Sequence, residues 1–132
     1  MAILTEDLAR ALFDEQGLDI VVPNIYTSIG YGAFFDSGIP MINSVVLLDG
    51  LITIEHAAFH YNHLVSADIP DSINKIDSYA FSRNQLTSVN IPDGLTTIDD
   101  NVFAYNNLTN VDIPGNVTTI GPEAFRGNQL TS

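Results

Sequence analysis

Residues 80–114 read AFSRNQLTSVNIPDGLTTIDDNVFAYNNLTNVDIP, and this stretch contains the same pattern twice. Ile-Pro pairs begin at Ile69, Ile91 and Ile113, so the two intervals are both 22 residues. The same spacing relates phenylalanines at 59, 81, 103 and 125 and isoleucines at 54, 76, 98 and 120. A fixed period of this length is typical of solenoid proteins, in which each repeat packs on its neighbours.

The period extends towards the N-terminus with more variation. The segment Leu47–Asp68 fits it, although Leu48 stands where the later repeats have proline. The segment Val22–Val46 fits if three residues are inserted near Gly38–Met41, and we expect this insertion to form an outer loop. We therefore predict a capping helix and a lead-in strand in residues 1–21, followed by a solenoid in residues 22–132. The solenoid would have about five repeats of 22–25 residues, the last one incomplete.

Each repeat combines a short strand, a turn and an apolar anchor. In LTSVNIPD, the apolar residues Leu86, Val89 and Ile91 alternate imperfectly with polar ones, which predicts a strand of about three to five residues. Pro92 ends the strand because it cannot donate a ladder hydrogen bond. Stacked repeats would pair their strands at about 4.8 Å and place the phenylalanines in one internal stack. The sequence predicts an α+β solenoid, a right-handed coil with a short parallel sheet on the concave face and irregular or 3₁₀ turns on the convex face.

Residues 5–16 are predicted to form the N-terminal capping helix. Thr5 is a suitable N-cap, acidic residues follow it at the positive end of the helix dipole, and Gly17 is a suitable stop. Leu8, Leu12 and Phe13 are predicted to share one face. A membrane-binding amphipathic helix is the alternative, but the absence of lysine and the acidic flanks disfavour it.

Composition excludes several classes of protein. Hydrophobic residues make up 45% of the 132-residue chain and charged residues 15%, which indicates a folded domain. Sixteen acidic residues against four basic ones give a net charge of −12, which disfavours nucleic acids and anionic membranes as partners. Without cysteine there is no disulfide, thiolate nucleophile or cysteine-bound zinc. We find no signal-peptide pattern and no apolar run long enough for a membrane span, so we predict a soluble chain without membrane insertion.

The paired motifs Leu-x-x-Val-x-Ile-Pro and Ile-x-x-x-Ala-Phe resemble the BspA-type leucine-rich repeat family. The matching segments are LVSADIP (64–70) with IDSYAF (76–81), LTSVNIP (86–92) with IDDNVF (98–103), and LTNVDIP (108–114) with IGPEAF (120–125). The resemblance implies a leucine-rich-repeat coil and a role in molecular recognition, without specifying the ligand. It also suggests a bacterial cell-surface or secreted location, and the sequence leaves a cytoplasmic one open.

One column departs from the family pattern. The family often has cysteine or another small residue three positions after the phenylalanine, whereas this chain has Ser37, Asn62, Asn84, Asn106 and Asn128. Asparagine carries both a donor and an acceptor in its side chain. We therefore predict a buried asparagine ladder that satisfies backbone groups of the turns.

The outward positions of the predicted sheet form two polar columns, with acidic residues at the strand ends. The columns contain Ser44, Ser66, Ser88 and Asn110, and next to them Val46, Asp68, Asn90 and Asp112; Asp49, Asp71 and Asp93 follow the strands. This surface favours a cationic or hydroxyl-rich protein partner. The alternative is that these residues only solvate an exposed sheet. We predict a non-catalytic protein-recognition or adhesion module without a cofactor.

Catalysis and metal binding are less favoured than protein recognition. Asp68 and Asp112 would lie two turns apart, at about 9–10 Å, which is within the carboxylate separation of inverting glycosidases. An open face offers no pocket or nucleophile beside them, so we predict no enzyme. No Asp-rich calcium loop is present. His56, His60 and His63 are the residues that a zinc or nickel site would use, but they replace Ser78, Ser82 and Gln85 of the next repeat and read as sequence drift.

The C-terminal turn is predicted to expose apolar side chains. No polar helix or charged strand follows the last turn in the sequence, so we expect Phe125, Leu130 and an unpaired edge to face solvent. The alternative function is therefore a structural repeat module that dimerises tail to tail, or extends, through this end.

Overall fold

The computed structural model describes residues 2–35 and 40–131. It is a solenoid of about five turns with one helix, and each turn carries one phenylalanine anchor. The elements are β1 (Ile3–Leu4), α1 (Glu6–Gln16), β2 (Asp19–Val21), β3 (Ser28–Ile29), β4 (Ser44–Val46), β5 (Thr53–Ile54), β6 (Ser66–Asp68), β7 (Lys75–Ile76), β8 (Ser88–Asn90), β9 (Thr97–Ile98) and β10 (Thr119–Ile120). The predicted ladder position Ser37 lies outside the described residues, and so do the first two residues of the predicted insertion at Gly38–Met41.

Strands of three residues form what we call the three-residue ladder. β2 pairs with β4, and β6 pairs with β8, both in parallel. The predicted short parallel sheet is interrupted in two places. β4 and β6 contact each other without forming a ladder in the described chain, and residues 110–112 have no strand conformation.

Strands of two residues form a second stack, which we call the two-residue ladder. Its order is β1-β3-β5-β7, and β9 pairs separately with β10. The sequence interpretation treated these segments as irregular or 3₁₀ turns, so it missed a set of parallel strands. In each of β3, β5, β7 and β9 the isoleucine is almost fully buried and the residue before it is not. This alternation is that of a strand with one buried face.

The two-residue ladder is interrupted between β7 and β9. Asp77 and Asp99 follow these two strands at equivalent positions of neighbouring turns. Burial raises the pKa of Asp99, and the nearby Asp77 raises it further, while Lys75 opposes the effect. The interruption therefore lies beside a pair of like-charged side chains on neighbouring turns.

The phenylalanine anchors form the predicted internal stack. Phe34, Phe59, Phe81 and Phe103 are at most 2% exposed. Successive ring centroids from Phe34 to Phe125 are 5.2, 5.3, 5.8 and 5.6 Å apart, and the ring planes are within 16° of parallel. This spacing lies within the usual range for aromatic pairs, so the stack links all five turns.

The predicted asparagine ladder is present in the described residues. The Oδ1 atom of Asn84 accepts a hydrogen bond from the backbone N–H of Leu64 at 3.0 Å. Its Nδ2 group donates to the carbonyl oxygen of Phe59 at 2.9 Å and to that of Phe81 at 3.1 Å. Equivalent bonds occur at Asn62, Asn106 and Asn128. Each asparagine thus joins its own turn to the turn before it.

Each phenylalanine anchor is flanked by residues in the left-handed backbone conformation. At the described positions, the residues two before and two after each anchor have φ between 57° and 73°, and most of them are not glycine. The residues before the anchors are Gly32, Ala57, Tyr79, Asn101 and Glu123. The residues after the anchors are Tyr61, Arg83, Tyr105 and Gly127. Non-glycine residues adopt this conformation only where the surrounding structure holds them there. The bend before the anchor repeats on all five turns and the bend after it on the four turns from Phe59 to Phe125, and these bends fix the side chains that the turns present.

Helix α1 has the predicted ends. Thr5 Oγ1 accepts a hydrogen bond from the Leu8 N–H at 3.4 Å, and Gly17, with φ of 79°, donates from its N–H to the Phe13 carbonyl at 2.7 Å. The predicted apolar face was wrong at Leu8, which is 40% exposed, whereas Ala9 and Leu12 are buried. Ala9, Leu12 and Phe13 are spaced by three and four residues, so they share the inner face and leave Leu8 outside. No helix in the described chain is long and apolar enough to cross a bilayer.

Candidate functional site

The outward side chains of the three-residue ladder form a polar surface, which we call the ladder face. The predicted site residues are all exposed: Ser44, Ser66, Asp68, Ser88, Asn90, Asn110 and Asp112. In the register of the ladder, Ser66 is paired with Ser88 and Asp68 with Asn90. The central residues of these strands, such as Ala67, point into the core, so the strand alternation itself places the polar residues outside.

Five of the seven predicted residues line one depression of about 510 Å³. They are Ser66, Asp68, Ser88, Asn90 and Asp112, and Asp93 joins them at its edge. The other two predicted residues lie outside it. Ser44 donates a hydrogen bond to Asp19 Oδ1 at 2.8 Å, and Asn110 lies in the segment 110–112, which has no strand conformation. Ile113 and Pro114 also line the depression, which the sequence interpretation did not foresee.

Negative charge dominates the depression on the ladder face. Three carboxylates line it and no lysine, arginine or histidine does. Asn90 Nδ2 donates a hydrogen bond to Asp68 Oδ1 at 3.4 Å, which leaves the second oxygen of Asp68 open to solvent. The surface can therefore accept hydrogen bonds from ammonium, guanidinium or hydroxyl groups.

The three predicted histidines take part in different contacts. His56 stacks on Tyr31 with ring centroids 5.2 Å apart, and His60 Nδ1 forms a hydrogen bond with the Ser82 hydroxyl. Burial lowers the pKa of His60, and Arg83 lowers it further. His63 lines a separate depression. Within residues 2–35 and 40–131, no group of three or more His, Cys, Asp or Glu side chains could hold a metal ion.

The turns present a second surface, which the sequence interpretation missed. Tyr61, Arg83 and Tyr105 occupy the position two residues after the anchor in three successive turns. All three are exposed, and together they line a depression of about 300 Å³, which we call the turn face. The signal was present in the sequence, because this column carries large side chains at the same 22-residue interval as the phenylalanines.

The apolar end of the last described turn is open to solvent. Leu130 is 39% exposed, as predicted, but Phe125 is half-buried because its ring packs on Phe103. The largest exposure at this end falls on residues that the sequence interpretation did not name. Ile113 and Ile120 are 40% and 50% exposed, whereas their equivalents one turn earlier are buried.

Comparison with known proteins identifies the repeat. No curated protein matches the chain. The family model of the BspA type leucine rich repeat region matches residues 9–131 in six copies. This match covers most of the chain and includes every motif pair described above. The protein therefore belongs to the BspA-type leucine-rich repeat family.

Proposed function

We propose that the protein is a non-catalytic recognition or adhesion module and that the ladder face binds a protein partner carrying lysine, arginine or hydroxyl side chains. The observation that supports this proposal is the depression of about 510 Å³, in which the ladder gathers Asp68, Asp93 and Asp112 beside serine and asparagine side chains. Repeat modules of this family present extended surfaces rather than closed pockets, and the depression is of that open kind.

The charge of the ladder face supports a cationic partner. Each carboxylate there can pair with an ammonium or guanidinium group, and the net charge of −12 attracts cationic partners from solution. Exposed ion pairs contribute roughly 0.2–1 kcal/mol each. Affinity would therefore come from several such contacts along the turns, and it should fall as salt screens them.

The hydroxyl and amide groups support a polar rather than an apolar interface. Ser66 and Ser88 lie side by side in register on neighbouring strands. Their hydroxyls can both donate and accept hydrogen bonds. A partner with serine or threonine beside its basic residues would therefore match the two columns of this face.

The first test uses a twelve-residue peptide of alternating serine and lysine, with binding followed by fluorescence anisotropy. We expect saturable binding that weakens with salt. The double substitution Asp68→Asn and Asp112→Asn should weaken binding about tenfold, which corresponds to two exposed ion pairs near the upper end of their usual strength.

A matched control separates the site from general charge. The double substitution Asp14→Asn and Glu15→Gln removes the same net charge from exposed positions of helix α1. It should leave the peptide affinity nearly unchanged. Equal weakening in both double variants, or unaltered affinity after the ladder-face substitutions, would contradict the proposed site.

The second candidate function is a structural module that associates with a second copy of this chain, tail to tail. The observation that favours it is the change in exposure at the last described turn. Ile120 is 50% exposed and Leu130 39%, whereas Ile98 and Leu108, their equivalents one turn earlier, are fully buried. A second copy placed end to end would cover these side chains as a neighbouring turn does elsewhere.

Light scattering at tens of micromolar protein tests this second candidate. We expect a dimer whose population increases with protein concentration. It should also increase with salt, because both copies are acidic and salt screens their repulsion. Ile120→Lys should give the monomer mass. The control Ile25→Lys, at a position that is 66% exposed elsewhere in the chain, should leave the dimer intact. A monomer mass for the unaltered protein would reject tail-to-tail association.

A further inference from the structure

We propose that the turn face is a second binding site, separate from the ladder face, and that it binds an acidic peptide in an extended, proline-containing conformation. The site is centred on Tyr61, Arg83 and Tyr105, with Met41 and His63 at its rim. Three properties of this surface support the proposal: its regular spacing, its charge and its exposed aromatic rings.

The spacing follows from the repeat. Tyr61, Arg83 and Tyr105 have φ values of 62°, 57° and 58°, so the same left-handed bend presents one of these side chains on each turn. Neighbouring turns of a parallel ladder are about 4.8 Å apart. The two tyrosines, two turns apart with the arginine between them, are therefore separated by about 9.6 Å along the solenoid, from the same strand spacing.

The charge of the turn face is opposite to that of the protein as a whole. The depression is lined by no Asp or Glu among the described residues, although the chain has 16 acidic residues. The other three basic side chains, Arg10, Lys75 and Arg126, each lie within 4.0 Å of a carboxylate.

Arg83 differs from these three residues in its charge partners. The guanidinium groups of Arg83 and Arg126 lie 4.5 and 5.8 Å from the ring centroid of Tyr105, but Arg126 is paired with Glu123, whereas Arg83 forms no ion pair within the described chain. An arginine held flat on an aromatic ring keeps its outer N–H groups available, and carboxylate is the group that they bind best. A carboxylate of the peptide would therefore supply the partner that residues 2–35 and 40–131 do not supply.

The aromatic rings determine the expected backbone of the peptide. Tyr61 is 53% exposed, Tyr105 is 37% exposed, and Met41 beside them is 40% exposed. A polyproline II helix rises about 3.1 Å per residue with three residues per turn, so residues three apart lie on one side at about 9.3 Å. This distance matches the separation of the two tyrosines. Aromatic surfaces are the usual docking sites for such segments, which lose little conformational entropy on binding.

The test uses a twelve-residue peptide of four Pro-Glu-Pro units, added to the full chain. Because the chain has five tyrosines and no tryptophan, tyrosine emission reports contact with the rings in the unaltered protein. We expect saturable binding at low salt. Arg83→Gln should weaken it about tenfold, and Tyr61→Ala or Tyr105→Ala about threefold to tenfold.

Matched variants distinguish this site from other surfaces. Arg10→Gln on helix α1 and Tyr31→Ala, at a position that is 64% exposed outside the depression, should leave the affinity unchanged. The double variant Asp68→Asn and Asp112→Asn should also bind the peptide normally, so the two proposed sites can fail independently. Circular dichroism of each variant verifies that it is folded.

Two further peptides test the required chemistry. Replacing glutamate by lysine should abolish the effect on tyrosine emission, because no tyrosine lines the ladder-face depression where a basic peptide would bind instead. Replacing proline by glycine should weaken binding at least about fivefold. The proposal would be overturned if the Pro-Glu-Pro peptide showed no saturable effect on tyrosine emission, if the glycine peptide bound equally well, or if Arg83→Gln had no effect. Binding of polygalacturonate in place of the peptide would assign the surface to an acidic glycan and likewise overturn it.

Discussion

Replacing Phe81 with alanine is expected to lower the free energy of unfolding by about 3–5 kcal/mol, the usual cost of emptying a buried aromatic site. Phe81 is fully buried, and its ring lies between those of Phe59 at 5.3 Å and Phe103 at 5.8 Å. The substitution removes contacts on both sides and leaves a cavity in the middle of the array. Urea denaturation with linear extrapolation measures the change.

The control for this prediction is the same substitution at the last anchor. Phe125 is half-buried and has one ring neighbour, Phe103. Phe125→Ala should therefore cost less than half as much as Phe81→Ala. Equal costs at the two positions would show that the rings act independently of the stack. A loss below about 1 kcal/mol at Phe81 would contradict the burial argument.

Replacing Asn84 with alanine is expected to cost about 1–3 kcal/mol, the usual cost of leaving one buried polar group unsatisfied. The Leu64 N–H loses its acceptor, whereas the carbonyl oxygens of Phe59 and Phe81 each lose one donor and keep another, from Asn62 and Asn106. Asn84 is 7% exposed, so water cannot easily replace these bonds. The measurement is again the free energy of unfolding in urea.

Two variants make the asparagine test specific. Asn128→Ala removes the equivalent bonds where the side chain is half-buried and water can reach them, so its cost should be at most about half as large. Asn84→Leu fills the space without forming hydrogen bonds, and it should not restore stability. Recovery of stability in Asn84→Leu would show that packing, rather than hydrogen bonding, is the contribution of this residue.

The repeat made much of the architecture predictable. Residues that rest on an equivalent residue one turn away must be chemically alike, so Phe59, Phe81 and Phe103 identified the internal stack directly. The asparagine column was predictable for the same reason, since a polar residue retained at a buried position needs partners in every turn. The ends of helix α1 followed from Thr5 and Gly17, whose effects are local.

The features that were not predicted depend on few residues or on distant ones. Strands such as Thr53–Ile54 have two residues, which is too short for alternation to be recognised in a sequence. The interruption between β7 and β9 has no signal in the repeat, which gives both segments an isoleucine at the same position. Leu8 was assigned to the wrong face because three residues at helical spacing do not determine which side of a helix meets the core.

The candidate surfaces also have features that the sequence predicted and features that it did not. Period-2 alternation was sufficient to predict that Asp68 and Asn90 face outward, because that depends on local strand geometry. It could not show that Ser44 lies outside the depression, since this depends on where the ladder stops. The turn face was missed because its column changes in chemistry from turn to turn, with Arg83 between the tyrosines 61 and 105 and Gly127 after them.

The asparagine ladder also gives the array a direction. Asn84 belongs to one turn, yet its Oδ1 and one of its Nδ2 bonds complete the turn before it, at Leu64 and Phe59. The same one-way dependence holds for Asn62, Asn106 and Asn128. Both cuts break backbone hydrogen bonds between turns. A cut after a turn would in addition remove the asparagine acceptor of a buried backbone N–H, such as that of Leu64, whereas a cut before it would instead leave an asparagine side chain short of partners. Copies of this repeat are thus not equivalent under reversal, and lengthening the array at one end is chemically different from lengthening it at the other.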